Sequence, residues 1–212
     1  MVELHTFSIA ARDPVTGDFG VAVSTARPAV GALVPWVSRS GAIATQARVN
    51  TELGRRGIAL LDAGVPVGAA LAGLLESDPD RDIRQIHGVD AAGEFCHTGE
   101  RCVAWCGHER GPGFSVAGNM LAGPAVVKAM AEAYESARAE GREFSERLLL
   151  ALEAGQAAGG DKRGRQSAAL LVASAEPRTY HNLRIDDHPD PVAELRRLFG
   201  VAVAHVRKIE TE

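Results

Sequence analysis

The sequence predicts an α+β fold of antiparallel sheets covered by helices, in one domain spanning residues 1–212. Three observations predict it. Strand candidates come in pairs joined by turn residues, which makes hairpins rather than crossovers. Helical periodicity comes in paired segments between them, which argues against a doubly wound parallel sheet. The strand candidates are apolar on both faces, as expected of sheets covered on each side. No Gly/Ser linker or internal repeat divides the chain, and a single core suits this length.

Residues 4–12 (LHTFSIAAR) and 19–25 (FGVAVST) read as a hairpin about the turn-rich segment Asp13-Pro14-Val15-Thr16-Gly17-Asp18. Pairing Asp13 with Asp18 sets Thr6 opposite Thr25, Phe7 opposite Ser24 and Ser8 opposite Val23. A third strand is expected at 41–47 (GAIATQA). Two helices follow, the first capped by Asn50 or Thr51 with Leu53, Gly57, Leu60 and Leu61 on one face, the second carrying Val67, Ala70, Leu71, Leu74 and Leu75. Strands return at about 84–90 and 94–98, joined by Ala91-Ala92-Gly93, and again at 114–118, after a glycine-rich irregular stretch at 99–113. Pro124 opens a helix with Val127, Met130 and Tyr134 on one stripe, and another helix is expected at 144–157. Residues 167–174 (SAALLVAS) give the strongest buried-strand signal, with 178–185 as its pairing candidate. A final helix at about 191–208 starts from an Asp190 cap and turns Val192, Leu195, Phe199, Ala202, Val203 and Val206 inward.

Composition narrows the function. Hydrophobic residues at 46% and charged residues at 24% exclude a disordered chain, a coiled coil or a collagen-like fibre. A formal charge of −4 supplies no basic surplus for nucleic acid or an anionic membrane. No apolar run reaches the length of a membrane span, and the N-terminus lacks a signal-peptide pattern. The three cysteines fall between Cys96 and Cys106, an odd number that fits a reducing cytoplasm better than a disulfide scaffold. A homodimer is the default expectation for such a chain.

Polar residues collect in four places. At the open end of the hairpin stand His5, Thr6, Ser8, Ser24, Thr25 and Arg27, hydroxyls among them that suit a nucleophile, a relay or an oxyanion donor. The loop from Gly159 to Ser167 brings Asp161, Arg163, Arg165, Gln166 and Ser167 to the head of a buried strand, where an arginine pair suits a substrate carboxylate. Asn119, between a strand and a helix, is either a cap or an amide aimed at an oxyanion. Cys96, His97, Cys102, Cys106 and His108 have metal-ligand chemistry without a tight CxxC pair, and Asp186, Asp187 and His188 read most simply as a polar loop, so neither a metal nor another cofactor is expected.

The segments HTFSIAARDPVTGDFGVAVST, GPGFSVAGNMLAGP, GGDKRGRQSAALLV and LRIDDHPDPVAELRRL, from about His5 to Leu198, resemble a bacterial family of unknown function placed in the N-terminal nucleophile (Ntn) hydrolase superfamily. The resemblance implies a four-layer αββα sandwich of two face-to-face antiparallel sheets. It also implies amide hydrolysis by a hydroxyl or thiol opening the first strand, with its own α-amine as general base. Thr6 falls at that position, with Ser8 second, and Asn119 and Asp161 become candidates for oxyanion stabilisation and amine orientation. Ser24, Thr25, Arg27, Arg163, Arg165 and Ser167 become substrate-binding candidates.

Five residues precede Thr6, and removal of Met1 alone exposes Val2, which has no nucleophile. Three readings follow: a precursor awaiting cleavage, a hydrolase whose internal hydroxyl uses another base, and a scaffold kept for ligand binding or assembly. The resemblance and the polar hairpin end together lead to the expectation of a cytoplasmic hydrolase of an amide, peptide-like or related C–N bond in a small molecule. A metal-dependent enzyme built on the cysteine/histidine or Asp186/Asp187/His188 groups is the remaining alternative.

Overall fold

The computed structural model describes residues 3–4 and 6–211, so His5 and the Met1-Val2 segment lie outside the described residues. Strands β1 (Glu3–Leu4), β2 (Thr6–Arg12) and β3 (Phe19–Thr25) open the chain. The β2–β3 hairpin has the register expected from its turn: Thr6 faces Thr25, Phe7 faces Ser24 and Ser8 faces Val23. Asp13 N–H donates to the Asp18 carbonyl and closes that turn. Strands β4 (Pro35–Ser38) and β5 (Gly41–Arg48) follow, then helices α1 (Thr51–Asp62) and α2 (Val67–Glu76). Asn50 caps α1, its side chain accepting from the Glu52 N–H.

Next come β6 (Arg84–Asp90), β7 (Glu94–Thr98), β8 (Gly107–Gly111) and β9 (Phe114–Gly118). Helices α3 (Ala125–Ala139) and α4 (Phe144–Ala157), strands β10 (Ser167–Ala173) and β11 (Asn182–Ile185), and helix α5 (Pro191–Thr211) complete the chain. Two strands differ from the sequence reading. β4 is a short run opened by a proline, and β8 (GHERG) is polar and glycine-rich, so neither has a strand-like pattern of its own. Each forms because a hairpin partner is adjacent: β5 for the first, β9 for the second.

The strands make two antiparallel sheets. One has the order β1-β5-β6-β7, with β4 sharing the edge of β5 with β1; the other has the order β11-β10-β3-β2-β9-β8. Side-chain alternation then sorts residues by face. Odd positions of β2 (Phe7, Ile9, Ala11) join Phe114 and Val116 of β9 in a core under α3, α4 and α5. Ile43 of β5 and Ile86 of β6 join a second core under α1 and α2. Between the sheets lies a third, made of small side chains including Ala10, Val21, Val23, Ala42, Ala44 and Val89. This is a mixed α+β arrangement of two antiparallel sheets and five α-helices among the described residues.

Candidate active site

The inter-sheet layer changes character along its length. Past the small apolar residues, the same faces of the same strands carry Thr6 and Ser8 (β2), Gln46 (β5), Gln85 and His87 (β6), and Ser115 (β9), all without solvent exposure. Asn119, directly after β9, is equally buried. Buried polar groups must pair with one another, and nearly all of these do.

Ser8 Oγ lies 2.6 Å from Gln46 Oε1 and 2.8 Å from His87 Nε2, and His87 Nδ1 lies 2.8 Å from Ser115 Oγ. The Gln46 amide donates through Nε2 to Gln85 Oε1 at 2.7 Å, which leaves its Oε1 to accept from Ser8. A hydroxyl has one proton. Ser8 therefore donates to Gln46, His87 Nε2–H donates to Ser8, and His87 Nδ1 accepts from Ser115. In that arrangement His87 cannot take a proton from Ser8. Burial, and secondarily the charge of His108, push the imidazole down to about 3, so it is neutral at ordinary pH.

Gln85 is the centre of the cluster. Its Oε1 also accepts from Asn119 Nδ2 at 3.0 Å, and its Nε2 lies 2.9 Å from Thr98 Oγ1 and 2.9 Å from the Gly118 carbonyl. Thr98 in turn contacts His108 Nδ1, which links the buried cluster to an exposed histidine.

Thr6 is the exception. Its side chain is fully buried, yet Oγ1 has no hydrogen-bond partner among the described residues. Its carbonyl accepts from the Asn119 N–H at 3.0 Å, so Thr6 and Asn119 are held side by side. Two of the three non-glycine residues with left-handed backbone among the described residues flank this place: Ala47 (φ 66) and Met120 (φ 53). Such strain persists only where surrounding contacts over-determine it, and it gathers at functional sites.

The loop from Gly159 reaches the same end of the ribbon, as the sequence suggested. The Asp161 carboxylate, shielded from solvent, accepts from the Ala26 N–H at 3.2 Å and from the Arg163 N–H at 2.9 Å. Asp161 also bridges Leu121, and Gln166 N–H donates to the Thr25 carbonyl. Ser167 stands opposite Thr25, donates through Oγ to the Arg27 carbonyl and accepts from the Val30 N–H. These residues fasten the loop to the end of β3.

The arginines differ from the sequence reading. Arg163 is clamped on Asp161, Nη2 to Oδ2 at 2.6 Å, and Arg165 pairs with Asp190 at 3.1 Å on the surface. Both guanidiniums are therefore engaged within the chain. Ser24 turns to the helix-facing side, as Ala22 and Ala168 do, and donates to the Ser167 carbonyl; the Arg27 side chain is exposed. The site is also closed over. Thr6, Ser8 and Thr25 have no exposure, and β1 pairs through Glu3 and Leu4 with Arg48 and Ala47 of one sheet, whereas Thr6 opens β2 of the other. A 280 Å³ cavity lined by Ala47, Arg48, Asp80, Ile83, Arg101, Cys102 and Val103 opens beside β1.

Sequence reading missed Gln46, Gln85 and His87. The available signal was weak: single polar residues within otherwise apolar, fully buried strands (GAIATQAR and RQIHGVD). The metal-ligand candidates disperse. Cys102 and Cys106 thiols donate to the Arg84 and Cys102 carbonyls, and Asp186 pairs with Arg184 while Asp187 accepts from Gln166. No group of three or more histidine, cysteine or acidic side chains is placed to hold a metal ion among the described residues.

The fold is thus a mixed α+β one with two antiparallel sheets and a buried polar layer between them, and comparison with known proteins gives its family. The chain belongs to DUF1028, a family of unknown function whose model matches residues 6–195. It is similar to the crystal structure of protein SPO2555 from Silicibacter pomeroyi, described under the same family, with a TM-score of 0.85 and 33% identity over 93% of this chain and 86% of that one. No curated protein matches the chain.

Proposed function

We propose that this protein is a cytoplasmic hydrolase of an amide or related C–N bond in a small molecule, with the Thr6 hydroxyl as nucleophile. The observation that carries this reading is the unpartnered Thr6 Oγ1 within a cluster whose other hydroxyls are paired. A buried hydroxyl without a partner costs stability, a cost that a functional role explains. Ser8, donating to Gln46 and receiving from His87, is the poorer nucleophile. Cores under helices on the outer side of each of the two sheets, and a third core between the sheets, support reading the fold as an αββα sandwich akin to the Ntn hydrolases.

In the full chain the Thr6 nitrogen is an amide, so this chemistry requires cleavage of the bond before Thr6. The freed α-amine then takes the proton of Oγ1 as Oγ1 adds to the substrate carbonyl. The Asn119 amide, whose Nδ2 donates to Gln85 Oε1, is the group this reading assigns as donor to the oxyanion. Collapse expels the amine with that proton and leaves an ester on Thr6. Water then attacks the ester carbonyl, giving its proton back through the amine and releasing the acid.

The experiment joins intact-mass analysis with a panel of small amides. The expected result is a species beginning at Thr6 that hydrolyses a member of the panel, with Thr6→Ala inactive and uncleaved. An active Thr6→Ala protein would falsify the nucleophile. A second reading, a non-catalytic binding or assembly module, is favoured by the zero exposure of Thr6 and the pairing of β1 with β5. A chain that stays intact and inert toward every amide supports it.

A further inference from the structure

Arg12 closes β2 on the face that carries Thr6, Ser8 and Ala10, so its side chain meets the inter-sheet layer at the end opposite Thr6. Six residues of strand separate the two, roughly 20 Å. A 350 Å³ cavity opens at this far end, with Arg12 and Arg138 of α3 both in its wall. Sites for small molecules start at about 300 Å³. One turn brings the two arginines together. The Arg12 N–H donates to the Gly113 carbonyl at 2.9 Å, and Arg138 Nη1 donates to the Pro112 carbonyl at 2.8 Å.

Both guanidiniums are short of acceptors. Arg12 lies over the Phe19 ring, 5.9 Å from its centre, with one long bond from Nη1 to the Ala91 carbonyl at 3.4 Å. Its Nε is shut off from solvent and has no acceptor among the described residues. Asp13, next in the chain, is turned to Arg147 instead. Arg138 meets an acid only at 4.0 Å, the half-exposed Glu135. A guanidinium has five N–H donors and no acceptor, so most of these donors are unused within the chain.

Two carboxylates share the wall, and both are committed to backbone. Asp90 accepts from the Val67, Ala92 and Gly93 N–H groups, and Glu94 Oε1 accepts from the Gly113 N–H at 2.6 Å. They balance the formal charge of the cavity without approaching Arg12 or Arg138 as ion-pair partners. What the wall lacks is acceptors for its arginines.

We propose that this cavity binds a small organic oxyanion, its carboxylate or phosphate group received by Arg12 and Arg138. Either group presents the paired oxygens that a guanidinium fork matches. The carbon body of the ligand would lie against Pro14, Ala92 and Pro112, which offer an uncharged surface. The Phe19 ring holds one face of the Arg12 guanidinium and leaves its edge for the ligand. The inference stands apart from the proposed hydrolase activity, because Thr6 lies at the other end of the layer.

Isothermal titration calorimetry of the full chain at low ionic strength tests it, with inorganic phosphate, glycerol phosphate and succinate as probes. The expected result is a Kd of about 1 mM or tighter for at least one of them. Binding of the phosphates alone assigns a phosphate group, binding of succinate alone a carboxylate, and binding of both the shared oxyanion chemistry. Arg12→Gln and Arg138→Gln should each weaken binding at least about tenfold. Arg138→Lys, which keeps the charge and loses the fork, should weaken it less. Arg55→Gln, at an exposed site on α1, should leave it unchanged. Circular dichroism reports whether each variant folds, and should Arg12→Gln unfold, the partly exposed Arg138 carries the test. No binding of any probe below about 10 mM overturns the proposal. Binding that survives a folded arginine variant at full strength marks an adventitious ion only and overturns it equally.

Discussion

Thr6 and Asp161 show how the same degree of burial has opposite energetic meaning for two side chains. The Asp161 carboxylate, buried at the loop, collects two backbone N–H groups and the Arg163 guanidinium. Replacement by Asn removes its charge and part of that bonding, and should cost about 1–3 kcal/mol in urea denaturation. Thr6 Oγ1 collects nothing among the described residues. Thr6→Val keeps the shape and removes the unpaired hydroxyl, so stability should stay level or rise by about 1 kcal/mol. A loss of more than about 1 kcal/mol would show that the hydroxyl has a partner the fold depends on. The two measurements use one assay and have opposite expected signs.

At the scale of elements, close approach of backbone decides what is tolerated. Helix α1 crosses β4 through Gly54, where an added Cβ would come within 2.3 Å of the Trp36 indole. Helix propensity favours Gly54→Ala by about 1 kcal/mol. Overpacking costs roughly 1–3 kcal/mol, and the Trp36 indole is tied in place by the bond from its Nε1–H to the Leu33 carbonyl. The variant should therefore lose about 1–2 kcal/mol net, read as a lower denaturation midpoint; a gain would mean that Trp36 has room to move. Elements of this kind were largely legible in the sequence. The β2–β3 register followed from one turn, and the α1 cap from Asn50, because both are set by residues close in sequence. β4 and β8 were not legible, since their partners rather than their composition make them strands. The candidate site was half legible for the same reason. Thr6 and Ser8 opened a recognisable strand, whereas Ser8 meets Gln46 and His87 across separations of 38 and 79 residues, which only the stacking of two sheets creates.

For the whole molecule, the polar inter-sheet layer couples folding to pH. An imidazole in the unfolded chain takes a proton near pH 6.5, whereas His87 in the fold does so only at about 3. Above pH 6.5 it is neutral in both states and its contribution is complete. As pH falls below 6.5, the unfolded chain binds a proton that the folded chain refuses, so stability declines until pH passes the folded value. Between pH 7 and 5 this amounts to about 2 kcal/mol from His87. Burial lowers His108 and His181 as well, which adds to the loss in the same window. Asp78, lowered by its bonds to Arg84, Asp80 and Asn50 despite a large opposing effect of burial, acts on the same side but further down, below its ordinary 3.8. Urea denaturation at pH 7, 6 and 5 therefore isolates the histidines. His87→Gln should lower stability at pH 7, because Ser8 and Ser115 each lose an imidazole partner, yet flatten the pH slope by about 2 kcal/mol over that range. The slope is the discriminating quantity: a merely structural loss shifts all three points together. An unchanged slope in His87→Gln would mean that the imidazole between the sheets is charged in the fold, and the hydrogen bond between His87 Nδ1 and Ser115 would have to reverse with it, the ring donating to the hydroxyl.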